Sequence, residues 1–106
     1  MNKKIRVIIA DDHRIVRAGI KQIIEECPDM AQVDEAGDGH ELIAKVRKNS
    51  YDAILLDVAM PGRDGLDILK QLKAEKCQVP VLMLSVYPQE QYAVRAFRAG
   101  ASGYLT

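Results

Sequence analysis

Three aspartates follow two apolar segments of this chain at the points where the segments end. Asp11 and Asp12 come directly after the segment that begins at Ile5, and Asp57 closes the segment that begins at Ala53. If the two segments are neighbouring parallel strands, the three carboxylates meet at the carboxyl edge of one sheet, where open parallel sheets bind ligands. Carboxylates held this close repel one another unless a cation lies among them. The spacing therefore predicts a cation site at this edge.

The chemistry that this site favours is phosphoryl transfer. Oxygen ligands with room for water suit Mg2+, which needs few protein ligands and can neutralise an incoming phosphoryl oxygen. An aspartate is a competent nucleophile for a phosphoryl group. Ser85 follows another apolar segment, Val79 to Leu84, at the same predicted edge. Its hydroxyl is placed to hydrogen-bond a phosphoryl oxygen, although serine is also a common turn residue after a strand.

The elements that position these residues alternate along the chain. Apolar segments alternate with helical patterns, which predicts a βαβαβαβαβ order and a doubly wound parallel sheet with helices on both faces. Asp38 is the predicted N-cap of the second helix and Asp64 that of the third. One face of the first helix carries apolar residues at helical spacing, and Pro28 ends that helix. The members of that face are Val16, Ile20, Ile23, Ile24 and Cys27.

Composition excludes several classes of function. The chain has 106 residues, 48% of them hydrophobic, which predicts one compact domain. Lys+Arg and Asp+Glu are 15 each, so no net charge attracts nucleic acid or a membrane surface. No apolar run is long enough to span a bilayer, and the short start before Ile5 leaves no room for a signal peptide. We therefore expect a cytoplasmic protein whose two cysteines, Cys27 and Cys77, are reduced thiols.

The order of these motifs resembles that of a response-regulator receiver domain from two-component signalling. The matching residues are Asp11-Asp12, Asp57, Met60-Pro61-Gly62, Asp64-Gly65, Ser85 and the segment 99–104. Segments 11–19 and 92–100 further resemble the subfamily that carries a LuxR-type helix-turn-helix output domain. The resemblance implies a flavodoxin-like, five-stranded parallel sheet of order 2-1-3-4-5.

The resemblance also implies residue roles. Asp57 would accept a phosphoryl group from a histidine kinase, and Ser85 and Tyr104 would act as switch residues. Mg2+ would be held by Asp12, Asp57 and the backbone carbonyl of Ala59, with Asp11 acting mainly through water. The expected product is a phosphorylated switch, not an enzyme with a separate substrate. A homodimer is possible, and DNA would be reached only through an output domain that these residues do not include.

One family feature is missing from the sequence. Receivers carry a lysine three residues after the switch aromatic, and here that place lies beyond Thr106. We therefore expect residues 1–106 to be a receiver domain truncated at the end of the fifth strand, without its last helix. A sheet face left bare in this way favours self-association or exchange of elements.

Three other functions are compatible with parts of this pattern. A phosphatase with an aspartate nucleophile usually has a second aspartate two residues later, where this chain has Ala59. A flavin mononucleotide carrier needs a phosphate-binding loop after the first strand, where Asp11 and Asp12 would repel a phosphate. The main alternative is a pseudo-receiver, a phosphorylation-independent interaction or dimerisation module.

His13 and Tyr87 are expected to lie beside the predicted pocket. His13 follows the first strand closely enough to be a candidate base or metal ligand. A lone histidine at a helix start is more often a solvated surface group, however, and we expect that here. Tyr87, which with Ala59 flanks the pocket, is predicted to shield an aspartyl phosphate from water.

Overall fold

The computed structural model of the chain describes residues 5–26, 30–57, 65–84, 95–96 and 98–105, with the side chains of residues 30, 31, 104 and 105 outside this description. The strands are β1 (Ile5–Ala10), β2 (Met30–Ala36), β3 (Ala53–Asp57), β4 (Val81–Leu84) and β5 (Gly103–Leu105). The helices are α1 (Arg14–Glu25), α2 (Gly39–Lys48) and α3 (Gly65–Ala74). Residues 95–96 and 98, where the sequence predicts a fourth helix, are also helical.

The five strands form one parallel sheet of order β2-β1-β3-β4-β5, as predicted. The chain leaves β1 toward β2 on one side and returns to β3 on the other side of β1. This reversal leaves a crevice beyond the carboxyl ends of β1 and β3. The two strands are in register there, since Ala10 pairs with Leu56. The residues that follow, Asp11 and Asp57, are therefore at the same level of the sheet.

The core lies on both faces of the sheet, because successive side chains of a strand point to opposite sides. In β1, Ile8 and Ala10 belong to the larger cluster, which α2 and α3 cover with Leu42, Ile68 and Leu69. Val7 and Ile9 face the other way, into a small cluster with Val33. An apolar strand between two packed layers is typical of a parallel sheet. The predicted parallel sheet, with packed layers on both of its faces, is thus confirmed.

The first helix departs from the expected pattern. Its predicted inward face is only partly inward: Ile20 and Ile24 pack against the small cluster on β1 and β2, whereas Val16 is 46% exposed and Ile23 is 66% exposed. A helix that lies on a sheet contacts it along a line narrower than a full apolar stripe, so residues at the stripe's margins stay in solvent. Cys27 and Pro28, the predicted end of this helix, lie outside the described residues.

The second helix begins as its sequence predicts. The Asp38 carboxylate accepts a hydrogen bond from the backbone N–H of Glu41 at 2.8 Å, and the Glu41 side chain accepts one from the N–H of Gly37 at 2.7 Å. This reciprocal arrangement follows the logic of a capping box, in which side chains satisfy the free N–H groups of a helix start. Gly39 then lets α2 approach α3, since a Cβ atom there would lie 2.3 Å from Cδ1 of the buried Ile68.

Two further features of the described residues are the state of Cys77 and the apolar character of the helices. Cys77 is a free cysteine of intermediate exposure, and Cys27 lies outside the described residues. Among the described parts of the chain, no helix combines the length and the apolar character needed to cross a membrane.

The contrast between buried and exposed apolar residues gives a stability prediction. Leu42 is fully buried, so Leu42→Ala should lower the free energy of unfolding by about 2–5 kcal/mol through lost burial and a cavity. Ile23→Ala, at a position that is 66% exposed, should change it by no more than about 0.5 kcal/mol. Urea unfolding followed by circular dichroism measures both. Equal losses in the two variants would contradict the packing of α1 described above.

Candidate functional site

Two of the three predicted aspartates are buried at the carboxyl edge of the sheet. Asp11 is 4% exposed and Asp57 is 8% exposed. The backbone N–H of Asp11 donates to the carbonyl of Ala36 at 3.1 Å, which extends the β1–β2 pairing by one residue. Asp57 is the last residue of β3 and pairs with Leu84 of β4. A buried carboxylate is costly without a compensating partner, so the fold keeps these two charges where a cation is needed.

His13 supplies part of that compensation, although it was expected to be only a solvated surface group. Its Nδ1 lies 3.1 Å from Oδ1 of Asp11, 3.1 Å from Oδ1 of Asp12 and 3.9 Å from Oδ2 of Asp57. The hydrogen bond with Asp11 and then the charge of Asp12 raise the pKa of His13 above its usual value. The imidazole is 62% exposed, so it is at the surface as expected, but it faces the carboxylates. The signal in the sequence was its place directly after Asp11 and Asp12.

The arrangement fits a divalent cation. Asp11, Asp12, His13 and Asp57 each offer one ligand atom, and these atoms all lie within 4.8 Å of one another. Three carboxylates with an open, solvent-facing side match the oxygen ligands and retained waters that Mg2+ requires. Thus the structure brings together the three aspartates predicted from the sequence and adds a histidine to them.

The structure describes little of the remaining predicted site residues. Ala59, Ser85 and the flanking Tyr87 lie outside the described residues, so their predicted roles stay predictions. The backbone of Tyr104 is in β5, where it pairs with Met83, and its side chain is outside the description. Ser85 follows β4 directly in the sequence, and β4 lies beside β3; that Ser85 lies near Asp57 stays a prediction.

Arg17 of α1 contacts the backbone of the site and the end of β2. Its Nη1 donates to the backbone carbonyl of Asp11 at 2.7 Å, and its Nε donates to Oε1 of Glu35 at 3.0 Å. Lys21 lies 3.5 Å from the same Glu35 carboxylate. These contacts tie α1 to the ends of β1 and β2, and the hydrogen bond from Arg17 lowers the pKa of Glu35. Sequence reasoning did not single out Arg17; its position one helical turn after His13 was the available signal.

Comparison with known proteins agrees with the fold. Residues 7–106 match the family model of the response regulator receiver domain. The chain is 41% identical over 106 residues to the transcriptional regulatory protein YxjL of Bacillus subtilis (strain 168), covering 99% of this chain and 49% of YxjL. It is 35% identical over 102 residues to the response regulator UvrY of Escherichia coli (strain K12), covering 96% of this chain and 47% of UvrY. The chain thus spans about half the length of these curated relatives.

A solved structure shows the same architecture. The receiver domain of the Francisella response regulator 1452 superposes with a TM-score of 0.90 at 31% identity, over 97% of this chain and 84% of that one. This chain therefore belongs to the response regulator receiver domain family. Within that family, its relatives include response regulators of the LuxR and NarL type, as the segments beside Asp11 and Tyr92 predicted.

The Arg17–Glu35 contact gives a prediction for pH dependence. Because the pKa of Glu35 is lowered in the folded state, its contribution to stability is present above the pKa of the unfolded state and is lost as pH falls through the folded pKa. Between about pH 5 and about pH 3, the free energy of unfolding should therefore fall more steeply in the wild type than in Glu35→Gln. Urea titrations at a series of pH values measure this difference. Parallel pH profiles for the two proteins would show that Arg17 does not stabilise the Glu35 carboxylate.

Proposed function

We propose that this chain is a phosphorylatable signalling switch in which Asp57 accepts a phosphoryl group at a Mg2+ site. The observation that carries the proposal is the meeting of Asp57 with Asp11 and Asp12 at the carboxyl ends of neighbouring strands. Residues 1–106 would form the receiver domain. In this proposal the phosphoryl donor is a histidine kinase, and the controlled activity belongs to an output domain that the 106 residues do not include.

The position of each aspartate supports the choice of Asp57 as acceptor. Oδ1 of Asp11 already accepts a hydrogen bond from the backbone N–H of His13 at 2.8 Å and lies 3.1 Å from its Nδ1. Asp12 is exposed and lies on the loop between β1 and α1. Asp57 ends the central strand β3, which lies between β1 and β4. The β1 side carries the carboxylates that would hold the cation, and Ser85 is the residue that follows β4 in the sequence.

The chemistry of the transfer follows from these positions. A carboxylate oxygen of Asp57 forms a bond to phosphorus as the bond between phosphorus and the kinase histidine breaks, and the imidazole leaves with that electron pair. Asp11, Asp12, Asp57 and the carbonyl of Ala59 would hold Mg2+, which supplies positive charge to the phosphoryl oxygens when bound. Ser85 would donate a hydrogen bond to one of these oxygens. The phosphoryl group adds charge and acceptors at one point of the sheet edge.

Phosphorylation of Asp57 would shift a conformational switch formed by the segment after Ser85 and the Tyr104 side chain. Phosphorylation acts by favouring one state of a bistable element, and β5, which contains Tyr104, is the neighbour of β4. The proposed output is DNA-binding control of transcription, in the cytoplasm, with homodimer formation as a further step. It is supported by the names of the relatives, which include a transcriptional regulatory protein and a response regulator. The switch would catalyse only its own phosphoryl transfer and dephosphorylation.

Intact mass after incubation with Mg2+ and acetyl phosphate tests the acceptor. The wild-type chain should gain the mass of one phosphoryl group, and Asp57→Asn should gain none, because the amide is not a nucleophile for phosphorus. Asp38→Asn is the matched control: Asp38 caps α2 outside the carboxylate cluster, so this variant should still gain the group. Chelation of Mg2+ should abolish the gain in every chain.

Three outcomes would change the interpretation, when the same incubation is also run on a chain extended beyond Thr106. A gain that persists in Asp57→Asn would place the acceptor elsewhere. A gain seen only in a chain extended beyond Thr106 would mean that residues after Thr106, such as the family lysine, are needed. If neither chain gains the group, the phosphorylation-independent pseudo-receiver becomes the better interpretation.

A further inference from the structure

We infer that Arg17 is a positioning residue, which orients the two aspartates that follow β1, Asp11 and Asp12, for binding the cation of the proposed switch. The inference rests on the proposed function for the cation itself. It goes beyond that function by assigning a role in cation affinity to a residue that offers no ligand atom and contacts the site through its backbone.

The hydrogen bond from Arg17 acts on the peptide unit that joins the two aspartates. The carbonyl of Asp11 belongs to this unit, and Nη1 of Arg17 donates to it at 2.7 Å. Because a peptide unit is planar, fixing its oxygen also restricts the position of the next Cα atom, that of Asp12. Asp12 lies beyond the end of β1 and is exposed, so the sheet itself gives it little support.

The same hydrogen bond completes the restraint on Asp11. The N–H of Asp11 donates to the carbonyl of Ala36 at 3.1 Å, which fixes the peptide unit before it. Asp11 is 4% exposed, and a buried carbonyl is costly without a donor. Arg17 supplies a charged donor to this carbonyl, and hydrogen bonds from charged donors are stronger than those from neutral ones. Both peptide units of Asp11 are thus held in place.

Arg17 is itself fixed by the end of β2. Its Nε donates to Oε1 of Glu35 at 3.0 Å, so the planar guanidinium spans the distance from Glu35 to the Asp11 carbonyl with two donors in one plane. The carbonyl of Glu35 accepts a hydrogen bond from Nζ of Lys45, in α2, at 2.6 Å. The Arg17 side chain is only 16% exposed, so few other positions are open to it. Contacts from α1, β2 and α2 therefore converge on the peptide unit between the aspartates.

A positioning role and a purely electrostatic role predict different effects on the cation. A positive charge near the site repels Mg2+, so if Arg17 acted by its charge alone, removing it would strengthen Mg2+ binding. If Arg17 positions the aspartates, removing it weakens Mg2+ binding. Lysine keeps the charge but lacks the rigid fork of two donors. Arg17→Lys should therefore weaken binding if the role is positioning and leave it unchanged if the role is electrostatic.

The test is a Mg2+ titration of each chain, in which the amide nitrogen-15 resonances give the dissociation constant. Arg17→Met and Arg17→Lys should each raise this constant by about tenfold, as is typical when a contact that orients a metal ligand is lost. Lys21→Met is the matched control, because Lys21 lies on the same helix and 3.5 Å from the same Glu35 carboxylate but has no described contact with Asp11. It should leave the constant within about twofold of the wild-type value.

Spectra without Mg2+ give a second readout that involves no cation. The carbonyl carbon-13 resonance of Asp11 and the amide nitrogen-15 resonance of Asp12 report on the two sides of the peptide unit. Both should shift in the two Arg17 variants and stay in place in Lys21→Met. A merely stabilising role of Arg17 would lower the midpoint of urea unfolding without changing the Mg2+ dissociation constant of the folded chain.

The inference is overturned if Arg17→Lys binds Mg2+ as tightly as the wild type does. It is also overturned if Arg17→Met binds Mg2+ more tightly, which would assign Arg17 an electrostatic role. Arg17→Lys keeps the charge and most of the aliphatic stem, so it decides the question even if Arg17→Met does not fold.

The outcomes also separate this inference from the proposed function. If the wild type binds Mg2+ and gains the phosphoryl group, but the Arg17 variants bind Mg2+ equally well, only the role of Arg17 fails. If the Arg17 variants bind Mg2+ more weakly but no wild-type chain gains the phosphoryl group, the proposed switch fails and the positioning role stands. If Mg2+ does not bind the wild-type chain, both are wrong.

Discussion

Repulsion among carboxylates at the carboxyl edge of the sheet is the constraint on which the site depends. Asp11 and Asp57 are almost fully buried, where a negative charge is costly unless an opposite charge or hydrogen-bond donors accompany it. The fold places them one strand apart and in register. Two groups beside them offset part of this cost: His13, whose pKa is raised by its hydrogen bond with Asp11, and Arg17, which donates to the Asp11 carbonyl. A metal ion or a change of charge at this edge therefore acts directly on these groups.

The core of the sheet makes this concentration of charge possible. β3 is central and apolar, with Ile54 and Leu56 fully buried, so Asp57 can be held rigidly at its end. The same strand is paired on both sides, by β1 and by β4. A carboxylate at the end of such a strand has little freedom to move away from the neighbouring carboxylates. Rigid placement of reacting groups is a large part of what a protein contributes to group transfer.

The first helix connects the site to the rest of the molecule. Its start carries His13 and its first turn carries Arg17, which reaches both the Asp11 carbonyl and Glu35 of β2. Two of its apolar residues pack on the sheet, while others on the same face are exposed. The helix is thus held to the sheet partly by polar contacts at its amino-terminal end, which are the contacts closest to the carboxylates. A change in charge at the site would act directly on the polar contacts of this part of α1.

The sequence by itself determined the class of fold and the three aspartates, because both depend on local patterns. The strands β1 and β3 are continuous apolar segments that end in aspartate, and Asp38 caps α2 through contacts only three residues away. Parallel strands with connecting helices then have few arrangements, so the meeting of Asp11 and Asp57 follows. Only the tertiary structure decided what surrounds them. The orientation of the His13 imidazole, the reach of Arg17 to β2 and the exposure of Ile23 depend on how α1 lies on the sheet. Helical spacing gives a helix an apolar face but does not fix how much of that face a neighbour covers, or which way a polar side chain at its first turn points.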